Sequence, residues 1–162
     1  MNDRMTWMLL VTAVLSGTAA AAGPDDPATA VAAVLDTFHE AASRADGDLY
    51  FDLFADDAVF LGTDASERWT VDEFRAFAEP YFSTGRGWTY TKKDRHVFIA
   101  ADGATAWFDE LLWNDTYGTC RGTGVLLLTA SGWRIAQYNL TIPIPNELAT
   151  EIVAMITAGD EQ

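Results

Sequence analysis

The sequence predicts an α+β domain in which helices come first and an antiparallel meander follows. Three observations carry that expectation. Apolar residues recur at helical spacing early in the chain, as at Val31, Val34, Leu35, Phe38 and Ala42. From Trp88 onward, four strand-like segments are divided by the turn-forming junctions ADG, NDTYG and ASG. At 162 residues, without internal repeats or a low-complexity linker, the chain reads as one domain with a sizeable core.

The chain begins with MNDRM, then the apolar run WMLLVTAVL and then SGTAAAAG, whose small residues suit signal-peptidase cleavage. The run is too short to span a bilayer, and no cysteine nearby could carry a lipid. Residues 1–22 are expected to be a signal peptide, 23–27 a linker, 28–158 the domain and 159–162 a tail, in a protein that is exported (periplasmic or secreted). Because Asp3 offsets Arg4, the alternative is a disordered or helical extension on a cytoplasmic protein. A first helix starts near Asp25 and Asp26, which suit its dipole. A short helix runs through Leu49, Phe51 and Leu53, and a brief strand covers 58–61. WTVDEFRAFAEPYF reads as a helix capped by Thr70, with Glu73 three residues on and Phe74, Phe77 and Tyr81 sharing a face. The strands are WTYTKKDRHVFIA, ATAWFDELLWN, GTCRGTGVLLLT and GWRIAQYNLTI. A last amphipathic helix covers about 145–157, with Asn146 as a candidate cap.

Composition narrows the partners. A net charge of -14 makes nucleic-acid backbones and anionic membranes poor partners. The single cysteine, Cys120, excludes an internal disulfide and a thiolate metal cluster; a small strand residue is the alternative to a catalytic thiol. His39 and His96 are the only histidines, and neither has the spacing of a metal site. His39, beside Glu40, reads as a solvated surface residue. No glycine-rich phosphate loop or nucleophile elbow is present. No metal and no cofactor are expected. Six tryptophans imply wide aromatic surfaces in a core or pocket.

If every hairpin closes by a two-residue turn, the commonest case, the faces of the sheet can be assigned. Closure at Asp102-Gly103 sets Phe98 opposite Trp107 and His96 opposite Asp109. Closure at Asp115-Thr116 sets Trp107 opposite Gly124, and Glu110 opposite Arg121. Closure at Ala130-Ser131 sets Gly124 opposite Gln137 and Gly122 opposite Asn139. One face then carries His96, Phe98, Trp107, Asp109, Trp113, Trp133, Ile135, Gln137 and Asn139. As the more aromatic face it is expected to lie under the helices, where Gly122 and Gly124 leave space for a ligand. The other carries Phe108, Glu110, Arg121, Val125 and Tyr138. A one-residue bulge would reverse every assignment beyond it.

FADDAVFLGTD, ERW, AWFDELLWN, RGTGVL, GWRIAQYNL and IPIPN together resemble a SnoaL-like domain of the nuclear transport factor 2-like superfamily, over about residues 28–146. The resemblance implies a cone-shaped, cystatin-like fold: a curved antiparallel sheet wrapped around N-terminal helices, with a conical pocket between them. It also implies a homodimer through the outer sheet face. The superfamily hosts many activities, so it does not fix function. Relative to ketosteroid isomerase, the general-base aspartate matches Gly62, the oxyanion-hole aspartic acid falls at Gly124, and the oxyanion tyrosine lies near Phe38. Steroid isomerisation by that mechanism is therefore not expected.

The candidate residues divide by role. His96 and Asp109 form the sharpest catalytic pair, since a carboxylate orients an imidazole as a general base; a polar pair at the sheet rim is the alternative. Asp64 is a candidate replacement base or a turn-forming residue. Arg68 beside Trp69 suits an anionic ligand, or an ion pair with Asp64 or Glu67. Trp107, Trp113, Gln137, Asn139, Trp88, Tyr81 and Trp133 are the candidate ligand-binding residues, with core packing the alternative for Trp88 and Tyr81. Glu110 and Arg121 are expected as an outer-face ion pair. Arg86, Lys92, Lys93 and Arg95 concentrate positive charge on a solvated strand or at an acidic partner. The leading expectation is an exported protein with an aromatic pocket that binds a small, mostly apolar molecule. One alternative is a metal-independent acid–base enzyme (cyclase, isomerase or dehydratase type) using Asp109 and His96. Another is an accessory domain acting through the outer sheet face.

Overall fold

Asp26 starts the first helix: its carboxylate accepts the Thr29 amide at 3.0 Å, and Pro27 fits the first turn. The structure, a computed structural model, describes residues 26–160. The expected signal peptide, residues 23–25 of the linker and the last two residues of the tail lie outside the described residues. Helix α1 spans Pro27–Ser43 and buries Val31, Leu35, Phe38, Ala41 and Ala42, one apolar stripe at helical spacing. Asp46 caps the short α2, Gly47–Asp52. Strand β1, Phe54–Leu61, starts earlier than expected, and β2, Arg68–Thr70, is an edge strand that the sequence pattern does not announce. Helix α3, Val71–Phe82, carries the expected reciprocal capping by Thr70 and Glu73.

The meander is β3 (Thr91–Ile99), β4 (Thr105–Asn114), β5 (Gly118–Thr129) and β6 (Gly132–Thr141). The strand order is β2-β1-β6-β5-β4-β3, in one curved six-stranded sheet. Strands β1 and β6 pair in parallel; the other neighbours are antiparallel. A 3-10 turn, Asn146–Leu148, precedes α4, Ala149–Asp160, so the last helix begins later than expected and no side chain caps the turn. Among the described residues no helix is long and apolar enough to cross a membrane.

Helices α1, α2 and α3 cover one face of the sheet, and the core between them is built from rings. Phe38 stacks on Tyr50 at 4.5 Å, Phe60 on Phe74 at 3.9 Å, and Tyr138 lies 4.8 Å from Phe38. Each fully buried ring contributes about 1.5–3 kcal/mol from removal of apolar surface.

The hairpins decide which side chains reach that core. The β3–β4 register is as expected, with Phe98 opposite Trp107 and His96 opposite Asp109. The β4–β5 connection is a three-residue loop between the paired Asn114 and Gly118, and Gly118 has φ 68°. It replaces the two-residue turn assumed from sequence and moves β5 by one residue. Trp107 therefore faces Val125, and Glu110 faces Gly122 rather than Arg121. The β5–β6 turn closes as expected, with Leu126 opposite Ile135, but a bulge interrupts the ladder beyond it and Val125 then pairs with Gln137. Ala136 is the extra residue. Trp133 and Ile135 consequently point into the core, whereas Gln137 and Asn139 point away from it.

The face assignment is thereby reversed for most of the sheet. Ala106, Phe108, Glu110, Leu112 and Tyr138 are buried under the helices; Trp107, Asp109, Trp113 and Gln137 are exposed on the outer side. Phe108 and Tyr138, expected outside, are core residues. The two glycines do lie on the inner face, but they leave no ligand space. A Cβ at Gly122 would meet the Tyr138 hydroxyl and the Glu110 carboxylate; one at Gly124 would meet the Gln137 carbonyl and the Phe108 ring.

Candidate functional site

On the covered side, between β1, β2, α3 and the start of β3, the sheet and helices leave a cleft of about 210 Å³. Its walls are the rings of Phe60, Trp69, Phe74, Phe77, Trp88 and Tyr90. Trp69 stacks on Phe74 at 5.5 Å and on Phe77 at 4.8 Å, so these walls support one another. Polar atoms come from Thr63, Glu67 and Tyr117. Next to it lies a recess of about 20 Å³ that shares Phe60, Trp88, Tyr90 and Leu140 with the cleft and adds Phe38, Tyr50, Tyr138 and His39. Burial pushes the Tyr90 hydroxyl up to about 12 and the Tyr50 hydroxyl well above its ordinary value, so both remain neutral donors near neutral pH.

Behind the recess stands a buried polar network. Glu110, 1% exposed, reaches inward from β4. Its Oε1 lies 2.7 Å from His39 Nε2 and accepts the Tyr138 hydroxyl at 2.8 Å. Its Oε2 accepts Arg95 Nε at 2.8 Å. Arg95 also donates to the Ala32 carbonyl and to Asp36, each at 2.8–2.9 Å, and Lys92 donates to the same Asp36 oxygen at 2.8 Å. Burial alone would raise the Glu110 pKa, but the hydrogen bond from His39, the Arg95 charge and the Tyr138 hydroxyl together hold it below the usual carboxylate range. Glu110 is thus an ionised, fully partnered carboxylate joining α1, β3, β4 and β6.

This network corrects two sequence expectations. His39 is not a solvated surface residue: its side chain is 11% exposed. Glu110 does not pair with Arg121, which sits exposed on the outer side opposite Leu111. The signal that could have located Glu110 was its alternation with Ala106, Phe108 and Leu112, a small and apolar file at period two.

The expected catalytic pair does form, with His96 Nδ1 3.2 Å from Asp109 Oδ1, but outside the cone. Their side chains are 58% and 51% exposed, and His96 Nε2 also lies 3.8 Å from Asp94. Trp107 and Trp113, expected as ligand-binding residues, are likewise on the outer side: Trp107 stacks on Phe98 at 5.6 Å, and the Trp113 indole donates to Asp115. Gln137 and Asn139 share that face because of the Ala136 bulge. Trp133 is buried in the core and does not border the cleft. Tyr81 is exposed on α3, under the Arg86 guanidinium. Asp64 accepts the Ser66 amide at 2.8 Å in an exposed turn, the structural alternative raised for it, and its bonds to Ser66 lower its pKa. Trp88 is the expected ligand-binding residue that does border both the cleft and the recess. Gly62 lies at the cleft too, and the Glu67 carboxylate folds over it, occupying the space of a Cβ.

Comparison with known proteins places the chain in a family. A family model described as a SnoaL-like domain matches residues 31–145. A nuclear transport factor 2-like protein of unknown function from Pseudomonas putida KT2440 has a similar structure, with TM-score 0.62, 15% identity, and 74% of this chain and 89% of that one covered. A protein of cystatin-like fold from Nostoc punctiforme PCC 73102 is similar with TM-score 0.61 and 14% identity over 75% of this chain and 93% of its own. A ketosteroid isomerase-like protein from Erwinia carotovora atroseptica SCRI1043 is similar with TM-score 0.56 and 20% identity over 75% and 99%. At these identities the structural likeness speaks for fold alone. No curated protein matches the chain. With the matched residues running from within α1 past the end of β6 and the curved sheet closing over its helices, the chain belongs to the SnoaL-like family.

Proposed function

We propose that the cleft binds a small, mostly apolar molecule carrying one or two hydrogen-bonding groups. The observation that carries this reading is the lining: seven aromatic side chains around about 210 Å³, with a few polar atoms. That volume is below the roughly 300–1,000 Å³ of sites for drug-sized ligands, which suits a flat molecule of one or two rings. Native mass spectrometry of protein purified from its own host tests it. A retained small molecule that disappears in Trp69→Ala is the expected result; no retained mass, and no thermal stabilisation by one- and two-ring aromatics, would contradict it.

A second surface favours a second reading. Phe98, stacked on Trp107, and Leu127 are exposed on the outer side of the sheet, an apolar patch that suits a homodimer or an accessory-domain contact. Sedimentation velocity of the parent and of Trp107→Asp would separate a dimer from a monomer. An acid–base enzyme built on His96 and Asp109 is not proposed, because that pair stands in solvent and cannot enclose a substrate. The apolar run and small-residue segment of the N-terminal sequence support export, for which a mature chain beginning near Gly23 is the test.

A further inference from the structure

The buried His39–Glu110 pair is not accounted for by binding alone. A structural role is a weak explanation for it, because a buried carboxylate with its polar partners seldom stabilises a fold more than apolar residues of the same volume. Its arrangement also fixes one protonation pattern. Glu110 is ionised and uses Oε1 to accept from Tyr138 and His39, so His39 Nε2 must carry a proton. In the neutral imidazole the lone pair then lies on Nδ1. Among the described residues none bonds Nδ1. The ring borders the recess that adjoins the cleft, which is large enough for one small polar group.

Resting on the reading of the cleft given above, we propose that His39 accepts a proton from an acidic hydroxyl of the bound molecule, a phenol or enol. The O–H bond breaks, its electron pair stays on the ligand oxygen, and the proton passes to Nδ1. The imidazolium that results is held through Nε2–H by the Glu110 carboxylate, so the site gains an ion pair without creating an unpaired charge. The groups facing His39 are Glu110 from β4 and Tyr138 from β6, with Arg95 from β3 acting through Glu110 and the Tyr50 and Tyr90 hydroxyls bordering the same recess. Tyr138 is held well above its ordinary pKa by burial and by Glu110, so it stays a donor throughout.

para-Nitrophenol is a direct probe, since its anion is coloured and its binding can be followed by quenching of tryptophan emission. At a pH about one unit below the probe's own pKa, the bound probe should show the phenolate band. His39→Gln should keep the quenching and lose the band by about tenfold or more; His96→Gln should change neither. Nitrogen NMR of the unmodified protein provides the second measurement. The buried imidazole should be protonated on Nε2 alone when free and on both nitrogens with the probe bound. Quenching without a phenolate band in the parent, an undiminished band in His39→Gln, or an imidazole unaltered by the bound probe would overturn the role of His39 and leave the cleft reading standing. Absence of quenching up to the solubility of the probe would overturn both.

Discussion

The two faces of this sheet are made from similar residues and have opposite fates. Each carries a His–carboxylate pair and a set of aromatic rings. On the inner face, Glu110 of β4 meets His39 of the covering helix α1 with both carboxylate oxygens engaged, beside a cleft walled by rings. On the outer face, His96 and Asp109 sit in water beside Phe98, Trp107 and Trp113. Residue type alone does not make a site. Enclosure does, because it removes solvent competition and strengthens each polar contact.

The largest break in that comparison should come from Glu110. Glu110→Ala leaves Arg95 and Tyr138 buried without their acceptor and should destabilise the fold by about 3–5 kcal/mol in urea unfolding. The matched change outside, Asp109→Ala, should stay within about 0.5 kcal/mol. Phe74→Ala should lower stability by a similar amount, about 3–5 kcal/mol, against less than about 1 kcal/mol for Trp107→Ala in the monomer. Gly122→Ala comes next. Its Cβ pushes directly on the Tyr138 hydroxyl and the Glu110 carboxylate, and a loss of about 1–3 kcal/mol is expected.

Acid should act through the inner face as well. The folded pKa values of Glu110 and Asp36 lie below their ordinary ones, Glu110 through His39, Arg95 and Tyr138 overcoming its burial, Asp36 through Lys92 and Arg95 overcoming its own. Their stabilisation is fully present above the unfolded carboxylate values, about 3.9–4.3, and is lost as pH falls through the lower folded values. The stability of the parent should therefore fall below about pH 4, and Glu110→Gln should flatten the fall. Asp64→Ala removes only exposed turn bonds to Ser66 and should leave ligand binding, read as the thermal shift, unchanged.

Much of the architecture was readable from the chain. The Thr70–Glu73 cap, the period of α1 and the four turn-separated segments each state a local preference, and local preferences determine where elements lie. The family resemblance implied the cone. The face assignment failed because it depends on counting residues through turns, and an error of one inverts it. A third residue in the loop before Gly118 and the extra Ala136 are each single-residue events with little sequence signal. They moved Glu110 inward and Trp107 outward, and with them most of the site. Trp88, which lines the cleft, precedes the meander, so its placement does not depend on the register. Glu110 shares the period-two file of Ala106, Phe108 and Leu112, but its partners come from three other elements, and no local pattern identifies them.

The thermal shift produced by a small aromatic such as para-nitrophenol, compared between Trp88→Ala and Trp107→Ala, tests the central claim most directly. If the helix-covered cleft is the binding site, the shift disappears in Trp88→Ala and persists in Trp107→Ala. The reverse pattern would place binding on the outer face and contradict the account.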